Sequence, residues 1–414
     1  MNRQSNSIWS ASALFVGTIF LVLGNGLQNT LLSVRAGYEG IASFLIGLMM
    51  AAYYTGYLTG SVYLGQMIQR VGHIRAFSAF VSLASAIALV HALFLEPYTW
   101  IGLRAINGLC YAGLIMVIES WLNAESSSQN RGQVLSIYTM IMVGGLAVSQ
   151  LLLHIASPFH FILFCVVSIL LSISLVPVAL TRSVAPELPP APRMSLRRLY
   201  TLSPTGLIGM VFIGIINGAF FGMTPVYLQQ AGLQTGDIAW ILSAGLTGAF
   251  VLQWPMGLVS DKVDRRWVLL SSFSFTGIVS LWLIMVQPDS FLDYVYGFVA
   301  FGGFGLTSYA ICLAHVNDAV DASDILPVSS SLVLIFGFGA ALGPMAAGLC
   351  MQLMGGEGLF LLMLVLNATA GLYLCWRIIV HVPVAVSEKE DFLPLPRTTP
   401  VALQMDERIP EEVL

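Results

Sequence analysis

Arg104 stands inside an apolar run over 98–122, in a chain with only 9 % charged residues. An arginine at mid-bilayer costs at least about 2.5–3.5 kcal/mol on insertion scales, and less near an interface. Such a residue needs a partner or a wet cavity. It can bind an anionic group or modulate a nearby proton site. The plainer alternative is a guanidinium that hydrogen-bonds backbone carbonyls and fixes helix packing. Glu119 follows 15 residues later in the same run. On a helix it lies about 60° around from Arg104 and about 22 Å along, so the two do not pair. Glu119 can carry a proton, or meet Arg70 or Arg75 as a latch at the end of the run.

Amides supply the other polar chemistry. Asn25, Gln28 and Asn29 share one helical face through their i, i+3 and i+4 spacing. Asn107, Gln150, Asn217 and Gln253 fall in further apolar runs, as do Tyr53, Tyr54, Tyr57 and Tyr227. Such an amide either lines a cavity or joins two helices, the latter for about 0.6 kcal/mol. His91, His154 and His315 read as packing or interface residues. The sequence holds no Walker loop, no His-Glu-x-x-His and no assembled nucleophile set. All five cysteines fall in apolar runs without metal-ligand spacing. Neither an enzyme nor a metal or cofactor is expected, and nothing points to nucleic acid.

The densest charge is Gly257-Leu258-Val259-Ser260-Asp261-Lys262-Val263-Asp264-Arg265-Arg266, with five charged residues in six positions. Between two apolar runs this turn must sit in water, so helices end on both sides of it. A fainter copy lies 192 residues earlier, from Gly65 through Gln69, Arg70 and Gly72 to Arg75.

The elements that position these residues follow from composition. The chain is 57 % hydrophobic with a mean hydropathy of +0.84, which marks a membrane protein of many crossings. A spanning helix needs roughly 20 apolar residues. That ruler gives twelve spans, near 10–33, 41–64, 76–95, 98–122, 132–154, 159–181, 205–229, 237–260, 267–286, 291–314, 326–352 and 358–380. Residues 1–181 form one six-helix bundle and 205–380 the second. The polar, proline-rich stretch 182–204 links them, and the tail 381–414 is expected to be disordered. Of 17 lysines and arginines, 15 fall on one side, Arg35 on the other and Arg104 within a span. Both termini are therefore expected in the cytoplasm. At an offset of 192, Asn25 falls on Asn217, Gly56 on Gly248 and Gly65 on Gly257. At 195, Gly102 falls on Gly297 and Gly108 on Gly303. The halves read as parallel repeats.

Twelve spans in two parallel halves, with this turn after spans 2 and 8, resemble the major facilitator superfamily. The family's turn runs Gly-x-x-x-Asp-(Arg/Lys)-x-Gly-Arg-Arg. Gly257, Asp261, Lys262, Arg265 and Arg266 match it, with Asp264 where glycine is usual. Gly65, Arg70, Gly72 and Arg75 match in the first half, with Gln69 where aspartate is usual. Arg104 and Gly108 meet the family's Arg-x-x-x-Gly on span 4, and Gly343-Pro344 its Gly-Pro on span 11. The Gly-Pro that antiporters carry on span 5 is absent. The runs 118–123 and 253–255 look like the bacterial YcaD-like branch.

The resemblance implies an all-α membrane protein of two pseudo-symmetric six-helix bundles in a bacterial-type inner membrane. It implies secondary active transport of a small organic solute by alternating access, open to proton coupling through Glu119, Asp293 or a histidine. A monomer is expected. The implied gate has Asp261 facing the start of span 5 at Arg131, with the other turn residues and Glu119 beside it. A receptor or assembly factor that kept the fold but does not transport is the alternative reading.

Overall fold

The computed structural model describes residues 3–127, 129–180, 193–380, 389, 392–406 and 408–409, with side chains from Ser12 onward. Every regular element among them is helical. The helices are α1 (Arg3–Tyr38), α2 (Ser43–Val71), α3 (His73–Leu93), α4 (Pro97–Glu125), α5 (Arg131–Leu151) and α6 (Ile162–Leu180). A short α7 (Leu196–Leu202) precedes α8 (Pro204–Gln230), α9 (Thr235–Lys262) and α10 (Arg265–Val286). α11 (Phe291–Phe301) and α12 (Ser308–Asn317) form one crossing, joined by a π-helical turn at Gly302–Leu306. α13 (Ile325–Met354) and α14 (Gly358–Val380) complete the bundle. Eleven of these crossings are long and apolar enough to span a bilayer. α2 is the twelfth: its 29 residues suffice in length, but Tyr53, Tyr54, Thr55, Tyr57 and Thr59 make it less apolar.

Local chemistry sets the ends of the helices. α2 and α3 meet at Gly72, whose φ of 93° and ψ of 145° suit glycine alone. The matching turn between α9 and α10 takes another course. Val263 and Asp264 keep negative φ, so no glycine is needed. Asp264 caps α10 by accepting the Arg266 N–H at 3.0 Å. This accounts for aspartate at the family's glycine position. Burial pushes the Asp264 carboxyl up, but hydrogen bonds and charge from Arg266 outweigh it and hold the group below its ordinary value.

Glycines let the helices touch. A Cβ on Gly56 of α2 would lie 1.9 Å from the Ala105 carbonyl of α4, and one on Gly108 would lie 2.0 Å from that of Tyr53. The second half repeats the contact: Gly248 of α9 faces the Val299 carbonyl at 2.4 Å, and Gly302 faces that of Gly245 at 1.9 Å. Gly102 has nothing within 4 Å. Gly56→Val is therefore expected to cost about 1–3 kcal/mol or more by overpacking. Thermal unfolding in detergent would show it, with Gly102→Val unchanged; equal midpoints would mean that α2 and α4 simply separate.

The halves meet directly at the end away from the tail. Ser33 donates to the Gly222 carbonyl at 3.1 Å, and Gln230 donates to Ser43 Oγ at 3.2 Å. A Cβ on Gly47 of α2 would lie 2.2 Å from the Pro344 carbonyl of α13.

Two expectations change at the tail end. Of the linker 182–204, residues 182–192 lie outside the described residues. The rest carries α7, and Met194 is tied to α13 by an N–H bond of 2.9 Å to Ser331 Oγ. The tail is not disordered where it is described. Leu395, Thr399, Leu403 and Met405 are buried as deeply as core residues. The apolar pairs of Phe392-Leu393-Pro394-Leu395 and Val401-Ala402-Leu403 find cover between the two bundles.

Candidate functional site

A cavity of about 230 Å³ lies between the bundles. Asn25, Asn29, Arg104 and Gln150 face it from the first half, Asn217 and Gln253 from the second, and Leu395 to Thr398 of the tail close it. Asn25 and its repeat mate Asn217 thus stand on opposite walls.

Arg104 is fully buried. One Nη donates to Asn29 Oδ1 at 2.6 Å, the other to Asn107 Oδ1 at 3.2 Å. Its Cζ sits 4.1 Å from the Tyr53 ring centroid, and Met50 Sδ is 3.7 Å from Nη2. The Nε has no partner among the described residues. Amides, a thioether and a ring face satisfy the hydrogens in part and leave the charge without a counter-ion among the described residues. Gln28 and Asn107 do not reach the wall. Asn107 donates to Gln28 Oε1 at 3.2 Å, so this pair braces Arg104 from behind. Tyr53 donates to Asn25 Oδ1 at 3.1 Å, and Thr30 to Gln150 Oε1 at 2.6 Å.

Glu119 differs from expectation. It points inward from α4 and is fully buried. It accepts Tyr138 Oη at 2.7 Å, with Thr398 and Thr399 of the tail on its two oxygens. Arg70 and Arg75, the expected partners, are exposed on the surface. The expected gate also rearranges. Asp261 does not bind the start of α5; its Oδ2 accepts the Phe392 N–H at 3.1 Å, and its Oδ1 is 3.0 Å from Arg265. Arg131 Nε is buried without a partner among the described residues. Arg265 is forked onto Asp318 at 2.6 and 3.3 Å and bonds Ser260 Oγ at 2.8 Å. Arg266 pairs with Asp264 at 2.7 Å. Lys262 is exposed, Gly65 is half-buried, and Gly257 is buried beneath Phe392. These ion pairs lie within the second half, so the turn staples α9, α10 and α12 together.

The residues missed in sequence are Phe221 and the tail's Phe392, Arg397, Thr398 and Thr399, while Asp318 is legible as an acidic residue at the entry to span 11 but not as the partner of Arg265. Arg397 donates to Asn217 Oδ1 and lies 5.1 Å from the Phe221 ring. The apolar pairs within an otherwise polar tail were the available signal.

With the geometry in place, the Major Facilitator Superfamily profile matches residues 14–237 and 207–405. The chain belongs to the major facilitator superfamily. Among curated proteins it is similar to the "uncharacterized MFS-type transporter YcaD" of Escherichia fergusonii, 26 % identical over 344 residues, or 82 % of this chain and 88 % of that one. Its fold is similar to that of the nucleoside transporter NupG, with a TM-score of 0.73 and 12 % identity over 92 % of this chain and all of the other. A bacterial homologue of the lysosomal transporter Spinster gives 0.75 and 13 % over 92 % and 98 %. Membership of this superfamily makes the protein a multi-pass membrane transporter with a small-molecule substrate, in line with the YcaD-like resemblance.

Proposed function

We propose that the protein is a secondary transporter that moves a small organic solute carrying an anionic group by alternating access between the two halves. The observation that carries this reading is Arg104, a buried guanidinium on the cavity wall with no carboxylate partner among the described residues. An uncompensated cation in a low-dielectric cavity favours an anion strongly. Asn25, Asn29, Asn217 and Gln253 offer hydrogen bonds on both walls, and apolar side chains line most of the remainder. The lysine and arginine bias supports both termini in the cytoplasm, and the bacterial relatives support a bacterial-type inner membrane. The tail then covers the cavity on its inner side, and the Ser33–Gly222 and Gln230–Ser43 contacts close the outer side.

Glu119 is the proposed proton site, because it is a buried carboxylate whose partners among the described residues are hydroxyls and backbone. The test is solute-driven pH change in proteoliposomes, screened with pools of organic anions and amphipathic compounds. Wild type is expected to move protons with one pool. Glu119→Gln is expected to abolish the pH change but to retain exchange of labelled for unlabelled solute. A pH change that survives in Glu119→Gln places the proton elsewhere; silence of every pool, in exchange as in pH, rejects the transporter reading.

A further inference from the structure

The tail enters between the bundles at the charged turn. Lys389 Nζ donates to the carbonyls of Ser260 and Val263, which end α9. Phe392 binds Asp261 through its N–H, and its ring takes the space above Gly257. A Cβ at position 257 would lie 2.2 Å from that ring, so the glycine forms the floor of the Phe392 seat. Thr139 of α5 then donates to the Pro394 carbonyl at 3.2 Å. Arg397 reaches Asn217 of α8, Thr398 and Thr399 fill both oxygens of Glu119 on α4, and Gln404 accepts from Asn123 at 3.2 Å. One strand of chain thus holds α4 and α5 of the first half and α8 and α9 of the second. It does so at the end opposite the direct contacts between the halves. Leu395 to Thr398 also form part of the cavity wall itself.

We propose that the described tail residues 392–406, anchored at Lys389, are a tethered plug that occupies the solute's route between the cavity and the tail side of the membrane. The proposal rests on the transporter reading above and adds its regulation. Passage requires the plug to withdraw. The described polar contacts between tail and bundle are hydrogen bonds, to the carboxylates of Asp261 and Glu119, to amides and to backbone carbonyls, and each can be replaced by water when the plug withdraws. Being part of the same chain keeps the local concentration of plug high, so the closed form dominates without tight contacts.

The test uses the full chain with its five native cysteines replaced. Thr139→Cys reports on the covered face and is labelled with a membrane-impermeant maleimide in nanodiscs, where both sides are open. Adding Phe392→Ala, Arg397→Ala and Thr399→Val is expected to speed labelling about tenfold or more, as follows when the open form is a tenth or less of the population. Equal rates overturn the plug. A second chain keeps the tail contacts intact and carries only Val401→Cys, a buried position. It is expected to label at least about tenfold slower than the same chain unfolded in SDS, by the same population argument; matching rates also overturn the plug. The loosened variant is expected to take up solute faster in proteoliposomes. Faster labelling with slower uptake overturns the inhibitory role. Faster labelling when neither chain moves any solute leaves the plug standing and rejects the transporter reading instead.

Discussion

Arg104→Ala is expected to weaken solute binding by roughly 10–150-fold, the equivalent of about 1.5–3 kcal/mol for a hydrogen bond to a charged group. The fold should survive. The guanidinium has no ion partner among the described residues to strand, and its removal leaves the side-chain oxygens of Asn29 and Asn107 short of a donor. Asn29 faces the cavity, where water can replace the lost bond. Arg104→Lys keeps the charge but gives up the fork that meets both amides, so an intermediate loss is expected. Titration of the transported solute against each purified variant, with thermal unfolding beside it, checks both halves of the statement. A large fall in stability with unchanged affinity would make Arg104 a packing residue and remove the main support for an anionic solute.

Asp318→Asn is expected to destabilise the protein by about 1.5–3 kcal/mol, the cost of losing hydrogen bonds to a charged group, because the buried Arg265 guanidinium gives up the carboxylate its fork meets. Arg265 has a fully buried side chain and directs its fork at Asp318. After the change it keeps Asp261 at 3.0 Å, a carboxylate partly open to water, and the hydroxyl of Ser260. Replacing both partners, as in Arg265→Met with Asp318→Leu, should cost far less, because no charge is then left buried. Thermal unfolding of the two variants in detergent decides it. A double variant as unstable as the single one would show that the pair also holds α10 and α12 in register through contacts beyond its charge.

The twelve crossings and the repeat were legible because bilayer thickness and charge bias act on each segment separately. Arg104 was legible for the same reason: an isolated charge in a long apolar run is visible without knowing its neighbours. The partners of Glu119 were not. The 15-residue spacing places it near the end of α4 but does not say which neighbour covers that face. The answer lies about 280 residues later, in Thr398 and Thr399. Asp264 was readable as a departure from the family pattern, and its reason needed the backbone angles of that turn. The tail's polar average concealed its short apolar pairs, since disorder is inferred from composition whereas burial depends on where those pairs can dock.

The modest hydropathy of α2 bears on how the protein is made. A segment inserts when its own transfer from translocon to lipid is favourable, and Tyr53, Tyr54, Tyr57 and their neighbours weaken that transfer. In the finished bundle α2 lies against α4 and, across the halves, against α13. α4 follows within the same half, but α13 begins at Ile325, 254 residues after α2 ends at Val71. Insertion of α2 is therefore expected to lean on its contact with α4, and its Gly47 face finds its partner α13 only when the second half has been made.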